Sequence, residues 1–154
     1  MRKRLISLKR TEPAGTSDWL DLNMVTAEIT SEDHAHPIEC ALVEEDEEGW
    51  RAGQPGVQSL RVLFDRPQDI CRIWLEFVET NGTRTQEFVL RWAAEGKAAE
   101  EIMRQQWNFS PDGAIRESED YRVRLMGARM LELTVDPDIS GGPAYASLRR
   151  LRLA

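Results

Sequence analysis

The chain has 154 residues, 41% of them hydrophobic and 31% charged, with a formal net charge of -7. That is enough for one domain with a real core, too short for two ordinary domains, and too hydrophobic for a disordered chain. The acidic balance opposes a phosphate backbone, and no apolar run approaches the ~20 residues that span a bilayer, so nucleic-acid binding and a membrane span are excluded as its main roles.

Met1 to Arg10 opens with basic residues, as a secretory signal does. Its apolar part, Leu5 to Leu8, is cut off by Lys9 and Arg10, well short of the ~7 residues such a signal needs. The segment is therefore read as part of a single domain, 1–154, with Leu5, Ile6 and Leu8 in a first short strand, and the protein as cytoplasmic. Cys40 and Cys71 fit that compartment as buried thiols, since a core of this size needs no disulfide. Leu20, Leu22 and Met24 alternate with Asp21 and Asn23, the period of a strand with one wet face. Thr30 to Pro37 is polar and irregular.

Ile38 to Val43 reads as a short apolar strand, followed by the acidic run Glu44 to Glu48 as a loop closed by Gly49-Trp50. Leu60, Val62 and Phe64 point one way and Arg61 the other; a turn follows at Asp65-Arg66-Pro67. In the next strand Cys71, Ile73, Leu75 and Phe77 form an inward row, with Arg72, Trp74 and Glu76 outside. Asn81-Gly82 predicts a hairpin turn because both residues tolerate positive φ. The returning strand carries Phe88, Leu90 and Trp92 on one face and Arg91 on the other. Between Ala93 and Trp107 the alanines and glutamates favour helix, but Gly96 opposes one and the apolar residues make no 3.6-residue stripe. The expectation is a hairpin turn near Glu95 to Ala99 and a strand from Glu101 to Phe109. Ser110-Pro111-Asp112-Gly113 is a turn. Tyr121, Val123 and Leu125 predict a strand, Leu131, Leu133 and Val135 another, and Leu148, Leu151 and Leu153 a last one. Many short strands with little helix predict an all-β, antiparallel sandwich.

With those parts in order, A-L-V-E-E-D-E-E-G-W-R-A-G from Ala41 to Gly53 resembles the opening of discoidin domains, also called coagulation factor 5/8 C-terminal-type or galactose-binding-like domains. The stretch Leu60 to Pro67 followed by Asp69 to Leu75, the strand Gln86 to Trp92, and the ending Ala144 to Leu153 are similar to later parts of the same family. The resemblance implies a jelly-roll β-sandwich with ligand loops at one end and a non-catalytic role. Family members bind carbohydrates or lipid head groups, or dock proteins. Many hold a structural calcium between the acidic loop and a glutamate near the closing strand. Here that place falls at about Arg150, beside Arg149, and a cation there repels a metal that needs 6–8 oxygen ligands. No cofactor is therefore expected. Either Arg149 or Arg150 pairs with Glu45 or Glu48 in place of the metal, or the acidic run is a solvated loop.

Catalytic chemistry finds no support. His34 and His36, the only histidines, could share a face toward a metal, but no second cluster supplies the remaining ligands, and they are read as loop residues beside Pro37. Neither cysteine is placed as an activated nucleophile, and no phosphate-binding glycine motif occurs. Sugars are bound by stacking on an exposed ring with polar groups setting orientation. Trp50, Phe64, Phe77, Phe88 and Trp92 are read as core, leaving Trp74 and Tyr145 as exposed rings, with Asn81 and Arg84 as polar loop partners. The chain is thus expected to be a binding module for a carbohydrate or similar polar ligand through loops at one end. The alternative is an intracellular protein-interaction or oligomerisation domain of the same fold, with a protein partner.

Overall fold

A computed structural model describes residues 19–43 and 48–154. The predicted strand at Leu5 to Leu8 lies outside the described residues. In chain order the elements are β1 (Thr26–Ile29), a short helix α1 (Glu39–Leu42), β2 (Trp50–Pro55), β3 (Gln58–Val78), β4 (Arg84–Ala94), β5 (Glu100–Phe109), β6 (Arg116–Asp136), β7 (Tyr145–Leu148) and β8 (Arg150–Leu153). All pairings between these strands are antiparallel. The expected all-β antiparallel sandwich is the fold observed.

Two long strands, β3 and β6, organise it. They pair from Gln58↔Val135 to Val78↔Arg116, with register breaks between Leu63 and Arg72. At that corner Gly127 takes φ +70°, a conformation costly for any side-chain-bearing residue, and its N–H is bound by the Asp69 carboxylate at 2.8 Å. The first part of β3 and the last part of β6 join β1 on one side and β4 and β5 on the other. The other ends of the same strands pair with each other and, through β3, with β8. The two portions face one another: Phe77 of β3 stacks on Phe88 of β4 with ring centroids 5.2 Å apart, although those strands share no ladder. Leu60, Val62, Ile73, Leu75, Leu90, Leu133, Leu148, Leu151 and Leu153 fill the space between.

Several expectations are corrected. Leu20 to Met24 is not a strand: Leu22–Met24 is a 3-10 turn, held because the Asp21 carboxylate accepts the Asn23 N–H at 2.9 Å, a local bond that competes with a ladder. Ile38 to Val43 is helical rather than extended, a distinction that a short apolar run does not make. Its start suits a helix, since the Ile38 N–H is bound by the Glu32 carboxylate at 3.0 Å and Pro37 has no N–H to satisfy. Asp65-Arg66-Pro67 is a corner within β3, not a chain reversal. Asn81-Gly82 does turn the chain, with Gly82 at φ +78°, but β3 and β4 are not hydrogen-bonded neighbours; the turn carries the chain from one layer to the other. Cys71 is exposed, not inward. A bulge causes this: the N–H groups of both Cys71 and Arg72 bind the Ala154 carbonyl, so alternation slips and Ile70 takes the inward place. The two strands predicted around Tyr121 and Leu133 are one, β6, and the last predicted strand is two, β7 and β8. The uncertain stretch after Ala93 is a hairpin: β4 and β5 pair from Trp92↔Glu100 to Arg84↔Phe109.

One polar inclusion lies inside the sandwich. Gln86 of β4 and Glu117 of β6 are both fully buried, and the Gln86 amide donates to Glu117 Oε1 at 3.2 Å. Burial, with the charge of neighbouring Glu119 added, pushes the Glu117 carboxyl up to about 8. Among the described residues Gln86 Oε1 and Glu117 Oε2 have no hydrogen-bond partner. Tyr121, on the same face of β6, has its phenol pushed up by the same burial.

Candidate functional site

The loops after β1, after β2, after β3, after β5 and after β6 meet at one end of the sandwich. Backbone hydrogen bonds tie them together: Asp33 N–H to the Arg51 carbonyl at 2.9 Å, Gly56 to Ala144 at 3.1 Å, Glu79 to Ile115 at 2.7 Å and Ile139 to Thr85 at 2.9 Å. An open cleft of about 500 Å³ lies here, lined by Glu32, Asp33 and His34 from the loop after β1, by Arg51, Ala52 and Gly53 of β2, and by Tyr145 of β7.

Each wall is positioned by a recognisable device. The Ser31 hydroxyl accepts the Gly53 N–H at 3.0 Å, and its carbonyl accepts the Trp50 indole N–H at 3.2 Å, which fastens the 31–34 segment along β2. Gly53 is needed for that approach, since a Cβ there would lie 2.7 Å from the Glu32 carbonyl oxygen. Tyr145 starts β7 opposite Pro55 and is 40% exposed. Asp33 accepts the Ala35 N–H at 3.1 Å, and this bond, with His36 beyond it, holds its carboxyl below the usual value.

Behind the cleft sits a buried ionic cluster. Glu79 is 2% exposed. The Ser147 hydroxyl donates to its Oε1 at 2.5 Å, Arg84 Nη2 lies 3.0 Å from its Oε2, and Arg51 Nη2 is 3.6 Å away. Arg84 also lies over the Phe109 ring at 6.0 Å. One carboxylate thus faces two guanidinium groups. Among the described residues Arg51 makes no side-chain hydrogen bond, so its fork of donors remains available at the cleft wall.

The structure brings together part of the predicted set. Tyr145 is exposed and lines the cleft; Arg84 stands behind it, joined to Arg51 through Glu79; Asn81 is exposed in the loop 79–83 at the same end. Trp74 is elsewhere and, contrary to expectation, buried, at 5% exposure. It faces outward from β3, but that face is roofed: Arg152, its cross-strand partner, donates to the Leu42 carbonyl of α1 at 3.2 Å, and Arg72 beside it is paired to Asp120 at 2.7 Å and packed over Trp19. Of the proposed loop–strand ion pair, Glu45 lies outside the described residues. Arg149 pairs to Glu76 at 2.7 Å, Glu48 contacts His36 at 2.6 Å, and Arg150 is buried on β8. Among the described residues no group of three acidic, histidine or cysteine side chains is placed to hold a metal. Sequence reasoning missed Arg51, Glu79 and the Glu32–His34 wall. The only signal for them was Arg51 lying between Gly49-Trp50 and Ala52-Gly53.

No family model matches the chain, and neither does any curated protein. Solved structures do match. The third family 32 carbohydrate-binding module from a family 31 glycoside hydrolase of Clostridium perfringens superposes with a TM-score of 0.65 at 20% identity, covering 93% of this chain and 98% of that one. The family 32 module of C. perfringens NanJ, solved in complex with galactose, gives 0.63 at 16% identity, covering 88% and 96%. The family 32 module of AlyQ, in complex with 4,5-unsaturated mannuronic acid, gives 0.60 at 13% identity, covering 84% and 93%. The chain therefore shares the β-sandwich fold of these modules.

Proposed function

We propose that this chain is a non-catalytic carbohydrate-binding module whose saccharide lies in the end-loop cleft. The observation that carries the reading is the exposed ring of Tyr145 in one cleft with the half-exposed guanidinium of Arg51 and the carboxylates of Glu32 and Asp33. A pyranose presents an apolar face that stacks on such a ring and hydroxyls that accept from a guanidinium and donate to carboxylates. Arg84 and Glu79 act from behind by fixing Arg51. With two carboxylates and one guanidinium in its lining, the cleft leans negative and suits a neutral sugar rather than a polyanion. The matched modules with galactose and with a mannuronic acid support the ligand class, while their low identity leaves the individual sugar to experiment.

A glycan array with neutral and uronic-acid saccharides, followed by calorimetric titration of the best ligand, tests this. Tyr145→Ala and Arg51→Ala should each weaken binding by at least tenfold; the first should change the melting temperature little, because the ring is exposed, and the second should lower it modestly, because Glu79 keeps Arg84 as its partner. An array without binders, or full affinity in both variants, overturns the reading.

A further inference from the structure

The cleft wall carries a device that the saccharide reading does not require. His36 Nδ1 lies 3.1 Å from Asp33 Oδ2, and His36 Nε2 lies 2.6 Å from Glu48 Oε2. A neutral imidazole has one N–H and can donate to only one of two carboxylates; the imidazolium donates to both. Asp33 itself lines the cleft, and the backbone of His36 is fastened to β2 because its carbonyl accepts the Arg51 N–H at 3.1 Å, so the ring acts on Asp33 from a fixed position. We propose that His36 is a proton-operated clamp on the cleft: charged, it fastens Asp33 to Glu48 and holds the wall in place, and neutral, it lets one of the two carboxylates go.

Among the described residues the charged groups near the ring are Asp33 and His34 on its own loop, Glu48 at the entry to β2, and Arg51 on β2, whose guanidinium is directed to Glu79. The nearest are acids, and the Asp33 hydrogen bond, followed by Glu48, raises the His36 pKa above the usual 6.5 despite partial burial. The clamp is therefore closed below that raised midpoint and opens as pH climbs through it. Its effect on sugar affinity rests on the saccharide reading; its effect on the wall does not.

The experiment is a pH titration of the full chain by NMR in a His34→Gln background, following the His36 ring and the backbone amides of Asp33, Ala35 and Gly53. The three amides should move with the ring, at one shared midpoint above 6.5. Glu48→Gln should pull that midpoint down, and His36→Gln should abolish the amide titration. A His36 midpoint at or below 6.5, or amides that ignore the ring, overturns the clamp. Repeating the titration with galactose separates the two ideas. A loss of affinity of about threefold to tenfold across the shared midpoint supports the clamp acting on a sugar site. If the wall titrates as expected but galactose and galacturonate leave the cleft amides unmoved at every pH, the clamp stands and the saccharide reading falls.

Discussion

Replacing Glu117 by glutamine removes a buried charge and keeps nearly the same shape. In the folded protein the carboxyl is fully enclosed and faces the Gln86 amide, and its pKa is pushed from 4.5 to about 8. A carboxyl whose folded pKa is raised contributes its full stability below the unfolded value and loses it as pH climbs to the folded one. At 1.36 kcal/mol per unit, the wild type should lose about 3 kcal/mol between pH 4.5 and 7, with about 5 kcal/mol as a ceiling above pH 8. Glutamine has no proton to lose. The variant should therefore match the wild type near pH 4.5 and exceed it progressively at pH 7 and 8.5. Urea unfolding at those three pH values measures the gap, and the difference between the two proteins cancels His36 and the other titrating groups that lie away from Glu117. Glu119→Gln should reduce the slope without removing it, because burial is the larger cause and Glu119 the smaller. Two stability profiles that run parallel over the whole range would refute the reasoning.

Other outcomes follow from the same structure. Trp74→Ala should cost about 3–5 kcal/mol in denaturant unfolding and leave cleft binding intact, since the ring is buried between Arg72 and Arg152 on the outer face rather than at the cleft. Glu79→Ala should destabilise by about 3–5 kcal/mol by stranding Arg84 and Arg51, and adding Arg84→Met should recover part of the loss. Gly49→Ala should be far more damaging than Gly56→Ala, although both glycines have positive φ. A Cβ on Gly49 would meet the Leu148 carbonyl oxygen and the Arg149 Cα, whereas nothing lies within 4 Å of Gly56; thermal melts of the two variants decide it. Cys71 should react with a maleimide in the folded protein and Cys40 should resist until unfolding, read by mass spectrometry.

What the sequence revealed depended on how local each cause was. The alternation at Leu60, Val62 and Phe64 is a property of one strand half-facing a core, and it survived intact. Gly96, at φ +69°, marked the β4–β5 turn for the same reason. Asn81-Gly82 announced a turn but could not say which strand the chain would pair with next, because pairing is set by the other layer. The bulge that turned Cys71 outward depends on the Ala154 carbonyl, more than eighty residues away in the chain. The outward direction of Trp74 was legible; its burial was not, since the bonds made by the flanking Arg72 and Arg152 reach Asp120 and the Leu42 carbonyl, both far away in the chain. At the candidate site Tyr145 could be found because a lone aromatic among glycines and prolines stands out. Arg51 and Glu79 could not, for a salt-bridged pair is visible only when two distant strands are brought side by side.

Because β3 and β6 each run without interruption through both sides of the sandwich, neither side can come apart while the other stays whole. Breaking Ile73↔Tyr121 tugs on the same covalent threads that carry Leu60↔Leu133. Hydrogen exchange should accordingly find one slow class of amides spanning both ends of these strands. A cleft mounted on such a frame has its floor fixed by the whole domain, and its freedom to adapt to a guest is confined to the loops that rim it.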